Sequence, residues 1–159
     1  MTRTFTEIEW ITIFFFLGLF IVVHAVAVSG LMQIIADKLV AATGDNLART
    51  GFVILWGAAL VSAIIDNIPL VATLIPVIKA AGSAYGGPEH IEPLWWCLSL
   101  GACLGGNGTL VGGSANLTMA GIAERNGVAF GFVRYTFYAL PMTVVSILIC
   151  HVYVWLRYF

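Results

Sequence analysis

Charge is what this sequence has least of. Lys, Arg, Asp and Glu make up 9% of its 159 residues, where a water-soluble domain carries about a quarter. The charges are also missing in blocks. His24 is the one ionisable side chain between Glu9 and Asp37. Only Cys97 and Cys103 interrupt the run from Glu92 to Glu124, and only tyrosines, Cys150 and His151 the run from Arg134 to Arg157. A helix crosses the bilayer core with about 20 apolar residues. Three such blocks in a chain that is 60% hydrophobic exclude a water-soluble α-protein. The net charge of −1 and the lack of a basic stripe exclude nucleic acid as a partner. Cysteine is scarce and unpaired: Cys97, Cys103 and Cys150 have no metal-ligand spacing, and the first two fall on different faces of a helix. They read as small apolar membrane residues, and no metal site is expected. There is no P-loop, nucleophile elbow or zinc motif, so neither an enzyme nor a bound cofactor is expected. Soluble domains, low-complexity tracts, long linkers and internal repeats are missing too, and the chain reads as one multi-pass transmembrane domain over residues 1–159.

What is present is a series of apolar segments of unequal regularity. Residues 10–31 form a first span with Trp10 at the interface. The acids ahead of it and the lack of a small-residue cleavage site suggest an anchor rather than a removed signal peptide. Residues 32–46 are less apolar; Ile34, Ile35, Leu39 and Val40 share one side, which predicts a helix lying in the interface. Residues 50–79 hold two apolar pieces, each short for a crossing at about 1.5 Å per residue, on either side of Asp66-Asn67-Ile68-Pro69. One helix kinked at Pro69, or two half-helices meeting at a re-entrant tip, would both fit. Asp, Asn and Pro together are strong turn chemistry and favour the hairpin.

A polar Gly/Pro loop over residues 79–93 leads to a second broken segment, 94–124. Gly101, Gly105, Gly106, Gly108, Gly112 and Gly113 crowd its middle. Each glycine costs a regular helix roughly 1 kcal/mol relative to alanine. Unwound backbone inside a membrane is tolerated only where protein or a watery cavity covers it. The expectation is half-helix, extended glycine crossover over residues 105–116, half-helix. Residues 130–156 form the last span, with Pro141 a kink and Trp155, Arg157 and Tyr158 at its interface.

Asp66 is the only carboxylate inside an apolar block. A charge at membrane depth costs at least about 2.5–3.5 kcal/mol and usually faces a pathway. The plainer role is a cap on the second half-helix, and a cap at a hairpin tip can still face a substrate. Asn67, Thr73, Asn107, Thr109, Ser114 and Asn116 are the other polar groups near the two breaks. A lone Asn or Ser in a membrane helix is commonly interhelical glue. Two clusters on two interrupted segments instead suggest a site, because broken transporter helices bind anions at half-helix N-termini and cations at unwound carbonyls. His24 reads as a hydrogen-bonded structural residue, and His90 and His151 have no visible acidic or Ser partner.

At these breaks the sequence resembles a known family. Ser62-Ala63-Ile64-Ile65-Asp66-Asn67-Ile68-Pro69, followed by Ala72-Thr73-Leu74-Ile75-Pro76, is similar to the hairpin motif of the ArsB/NhaD ion-transporter superfamily. Leu104-Gly105-Gly106-Asn107-Gly108-Thr109-Leu110, with Gly113-Ser114-Ala115-Asn116 and Ala120-Gly121-Ile122-Ala123-Glu124, is similar to its companion broken helix. Agreement extends over nearly the whole chain, Glu9-Trp10 included, and is strongest with the P-protein and arsenite-permease branch. The resemblance implies an all-α membrane fold of two inverted repeats, of which this chain is the second, C-terminal one. It implies secondary transport of an inorganic ion or oxyanion driven by a proton or sodium gradient, or of a di- or tricarboxylate. It implies that Asp66, Asn67, Thr73, Asn107, Thr109, Ser114 and Asn116 form half of the substrate and coupling-ion site. The partner would be a first repeat or a second copy of the chain, and a non-transporting membrane subunit is the alternative. Counting basic residues gives no orientation, since Arg3, Arg125 and Arg134 oppose Lys38, Arg49, Lys79 and Arg157.

Overall fold

The computed structural model of the chain describes residues 10–44, 46–128 and 131–159. Expectations that touch residues 1–9, Asp45, Ala129 and Phe130 lie outside the described residues. Among the described residues every regular element is helical: α1 (Trp10–Val28), α2 (Leu31–Thr43), α3 (Leu47–Ser62), α4 (Asn67–Ala81), a 3-10 turn (Gly82–Tyr85), α5 (Glu92–Gly105), a second 3-10 turn (Gly106–Gly108), α6 (Ser114–Arg125) and α7 (Phe132–Tyr158). Asn67–Tyr85 and Phe132–Tyr158 are long and apolar enough to cross a membrane, and Leu17–Val26 with Leu31–Thr43 is a further candidate, bent by 67°. The protein is an all-α integral membrane protein.

The bend falls where Gly30 takes a φ of 80°, a conformation that a side chain makes costly. Beyond it, α2 buries Met32, Ala36, Val40 and Thr43, of which the first three meet Val77 and Ala81 of α4. The apolar side foreseen for this helix is only partly the one it buries. Small residues let α2 lie close on α4, while Ile34 and Ile35 face outward.

The core is built on α3 and α5. Gly101 and Gly105 are one helical turn apart, and both lie against bare α3 backbone. A Cβ built on Gly101 would stand 2.4 Å from the Leu55 carbonyl oxygen, and one on Gly105 would stand 2.3 Å from that of Ala59. This is the small-residue spacing by which membrane helices approach without a hydrophobic driving force between them. Ile54, Leu55, Ala58 and Ala59 then pack with Leu94, Cys97, Leu98 and Ala102, and Ile147 and Val154 of α7 close the cluster.

Polar groups pin the layers. Thr43 donates to the Leu39 and Val40 carbonyls, so its oxygen accepts from Thr50 at 2.6 Å. Thr50 in turn accepts from the Tyr85 hydroxyl at 2.6 Å. That relay ties α2, α3 and the 3-10 turn together. At the far end of α7, the Trp56 indole donates to His151 Nδ1 at 3.3 Å, and Phe52 stacks on the imidazole with centroids 3.8 Å apart. His151 therefore has a partner on α3.

These contacts yield two opposite expectations. Gly105→Ala forces α3 and α5 apart and lowers stability by about 1–3 kcal/mol. Gly57→Ala, where a Cβ meets nothing within 4 Å, raises stability by up to about 1 kcal/mol. Thermal unfolding of the full-length protein in detergent measures both, and equal shifts would show that the α3–α5 approach is not tight.

Candidate substrate and ion site

The two interrupted segments meet. Helix α3 ends at Ser62 and α4 starts at Asn67. Between α5 and α6 the chain makes the Gly106–Gly108 turn, extends at Thr109, turns again with the Gly112 amide donating to the Thr109 carbonyl at 3.3 Å, and extends at Gly113. Ser62 Oγ donates to the Ala102 carbonyl at 2.6 Å, and the Thr109 hydroxyl donates to the carbonyl of Ala63. Gly112 is wedged in the same place: a Cβ on it would stand 2.6 Å from the Gly106 oxygen and 2.8 Å from that of Ser62. Asn116 fastens the crossover from the first turn of α6, its amide donating to the carbonyls of Gly106 at 2.9 Å and Thr109 at 3.1 Å.

The depth of this junction can be read off α7. A Cβ on Gly108 would lie 3.6 Å from Leu140 and 3.7 Å from Thr143, residues near the middle of the 27-residue α7. At 1.5 Å per residue that helix is about 40 Å long, so the crossover sits near its mid-length. Asn107 reaches the same helix, its carbonyl accepting from the Tyr135 hydroxyl at 3.2 Å.

The sequence-derived residues divide into two groups. Thr109 binds the two breaks together, Asn116 fastens the crossover to α6, and Asn107 lines a cavity of about 560 Å3 between the crossover and α7. Ser114 opens α6 and is exposed. Asp66 instead serves its own helix, accepting from the Ile68 amide at 3.1 Å as the N-cap of α4. Asn67 faces a shallow groove shared with Phe20 and Ala72, and Thr73 donates back to the Leu70 carbonyl. Among the described residues no hydrogen bond joins the side chains of Asp66, Asn67 or Thr73 to the crossover. The first break meets the second through Ser62 and Ala63.

Comparison with known proteins places this geometry in a family. A profile described as "Citrate transporter" matches residues 1–101. The chain belongs to the citrate transporter family. That family lies in the ArsB/NhaD-type superfamily. An "Uncharacterized transporter" of Mycobacterium tuberculosis (strain H37Rv) is 43% identical over 154 residues, covering 97% of this chain and 36% of the relative. The "46 kDa membrane protein" of Mycobacterium leprae is 39% identical, covering 96% of this chain and 36% of the relative. The human "P protein" is 38% identical over 145 residues, which are 88% of this chain and 17% of the relative. The chain thus spans about a third of the bacterial relatives that it matches. The family profile covers both α3 and α4, and so takes in the first break. The relatives' matches extend over almost the whole chain and take in the second.

The two half-helix starts differ chemically. The α4 N-terminus already carries the Asp66 carboxylate, which its partial positive charge favours. The α6 N-terminus has Gly113 as its cap residue and no side-chain cap; the Asn116 backbone amide bonds the Gly113 carbonyl at 3.1 Å, and those of Ser114 and Ala115 stay open to an acceptor. The α6 start thus presents donors, and the α4 start a carboxylate. Sequence reasoning missed Arg134, Tyr138 and Ser146, which line the cavity with Asn107. The signal for them was their spacing of four and eight residues, which puts them on one face of the last helix. Arg134 is a basic residue that the fold brings to the cavity beside the breaks.

Asn116 gives a test of the crossover. Asn116→Ala leaves the Gly106 and Thr109 carbonyls without this donor and costs about 1–3 kcal/mol. Asn116→Asp turns an acceptor toward both carbonyls and costs more than alanine. Unfolding midpoints of both variants of the full-length protein decide it; an Asp variant as stable as wild type would remove Asn116 from the role of fastener.

Proposed function

We propose that this chain is the C-terminal repeat of a secondary transporter of the ArsB/NhaD type. It moves an inorganic ion or oxyanion, coupled to a proton or sodium gradient, by alternating access. The observation that carries this reading is the joining of two helix breaks, by Thr109 to Ala63 and Ser62 to Ala102, at the mid-length of a membrane-crossing helix. Broken helices meeting at depth are how transporters put free carbonyls, amides and half-helix ends around a solute. Asp66, Asn67 and Thr73 on one break, with Asn107, Thr109, Ser114 and Asn116 on the other, make up half of the site. The first repeat supplies the rest.

A second reading is a di- or tricarboxylate as the solute. The description of the matching family supports it, as does Arg134 lining the cavity beside Asn107. Competition of radiolabelled uptake by citrate, succinate and arsenite, in liposomes holding the full-length protein, separates the two.

The role of Asp66 is tested by charge alone. Asp66→Asn keeps shape and a side-chain acceptor for the Ile68 amide, so the protein reaches the membrane. Ion-coupled flux falls by roughly tenfold or more, equivalent to about 1.4 kcal/mol in the barrier. Flux with unchanged rate, pH and sodium dependence would leave Asp66 as a cap only.

The exposed surface gives a further expectation. Helix α7 is only 17% buried over its apolar window, and α6 buries one residue, Ala120. Alternating access needs a second body moving against this one around their shared site. The isolated 159-residue chain therefore shows no saturable flux, and co-expression with the N-terminal part of a full-length relative restores it. Coupled uptake by the isolated chain as a monomer, at high dilution in lipid, would overturn the half-site reading.

A further inference from the structure

The cavity beside the crossover continues as a groove along α7. Gly131, Arg134, Tyr138, Met142 and Ser146 line it on that helix, and Asn107 lines it from the crossover. Their spacing of three and four residues places them on one helix face. At 1.5 Å per residue the face runs about 22 Å, from the first turn of α7 to beyond the level of Gly108. None of its lining residues is Asp or Glu, and Arg134 is its one formal charge.

Helix stability does not account for Arg134. Basic residues favour the last turn of a helix, where Arg157 stands, and Arg134 lies in the first turn, against the dipole. Among the described residues it makes no ion pair. The α7 N-terminus beside it has Gly131 as cap and no side-chain cap bond, so open amides add to the positive potential. At the inner end the Asn107 side-chain amide has no hydrogen-bond partner among the described residues, and Ser146 stands nearby on the same face. The groove is therefore polar at both ends, with an apolar wall between them. An acyl chain would have to press its apolar end onto Asn107, whereas a small anion finds charge at the mouth and neutral donors inside.

We propose that this groove is the aqueous entrance by which an anionic solute reaches the crossover, and that Arg134 selects its charge. The inference that the solute is transported onward rests on the functional reading above; the anion preference of the groove does not. A single positive charge at the mouth of a low-dielectric channel raises the local concentration of anions and lowers that of cations.

Thiol labelling tests this without measuring flux. Ala139→Cys is made on the groove wall of the full-length protein in liposomes, and rates in the parent protein are subtracted for the native cysteines. A sulfonate-bearing methanethiosulfonate reacts about tenfold faster than its trimethylammonium counterpart. Adding Arg134→Gln brings the two rates together, Arg134→Lys keeps them apart, and the uncharged methyl reagent reacts equally in all three. A thiol unreactive to every reagent would mean that lipid or the companion repeat fills the groove, and the proposal falls. Equal rates for the two charged reagents with Arg134 in place would overturn the charge selection. A sulfonate preference in a protein that shows no flux for any ion would keep the entrance and remove the transport reading instead.

Discussion

One bare backbone pressed against another is the contact from which the rest of this fold follows. Gly101 and Gly105 present no side chain to α3, so the carbonyls of Leu55 and Ala59 lie where a Cβ would otherwise stand. Once the two helices are that close, their ends are fixed together. Ser62 reaches the Ala102 carbonyl, Thr109 reaches the Ala63 carbonyl, and Gly112 fills the remaining gap against Ser62 and Gly106. Dispersion and short hydrogen bonds do this work, because lipid tails are as apolar as leucine and give helices no reason of their own to associate. A larger residue at Gly105 would separate the helices and also the two breaks, which depend on that separation being small.

The breaks are stable only because the freed backbone groups are covered. Each unpaired amide or carbonyl in hydrocarbon costs several kcal/mol. Asn116 supplies two donors to carbonyls that no helix satisfies, and Asp66 supplies an acceptor to the start of α4. The same residues that look like ligands are thus also the caps and fasteners of the interrupted helices. Those bonds use both amide hydrogens of Asn116 and one carboxylate oxygen of Asp66, and among the described residues they leave Asn116 Oδ1 and the second Asp66 oxygen unspent in fixed positions.

Much of this was legible in the residues and some was not. The crossover could be read because its glycines fall in succession, a pattern that no regular helix tolerates. The first break could be read from Asp66-Asn67-Ile68-Pro69, and the cap role of Asp66 was one of two uses weighed for it. What could not be read were pairings across the fold. Trp56 and His151 are 95 positions apart, and Thr50 and Tyr85 are 35 apart; no local period joins them. The buried face of α2 was foreseen only in part, because hydrophobicity ranks Ile34 and Ile35 above Ala36 while close packing on α4 prefers the smaller side chain. Arg134 was counted among the topological charges, and only the fold shows that its helix face leads to Asn107.

Burial is uneven among the helices. Helices α3 and α5 bury a face against each other, while Val133, Phe137 and Leu156 of α7 are each more than 70% exposed. In a membrane such surface is not itself costly, since lipid covers it. The polar residues on the open side are different, because lipid cannot satisfy the side chain of Asn107 or the free amides at the start of α6. A fold that spends Asn116 and Thr109 on closing its own backbone, yet leaves Asn107 and Ser114 exposed, is incomplete on that side in a specific chemical sense: it needs water, a solute or another polar protein surface there. Hydrocarbon meets none of those needs, so lipid alone cannot be the surroundings of the crossover side.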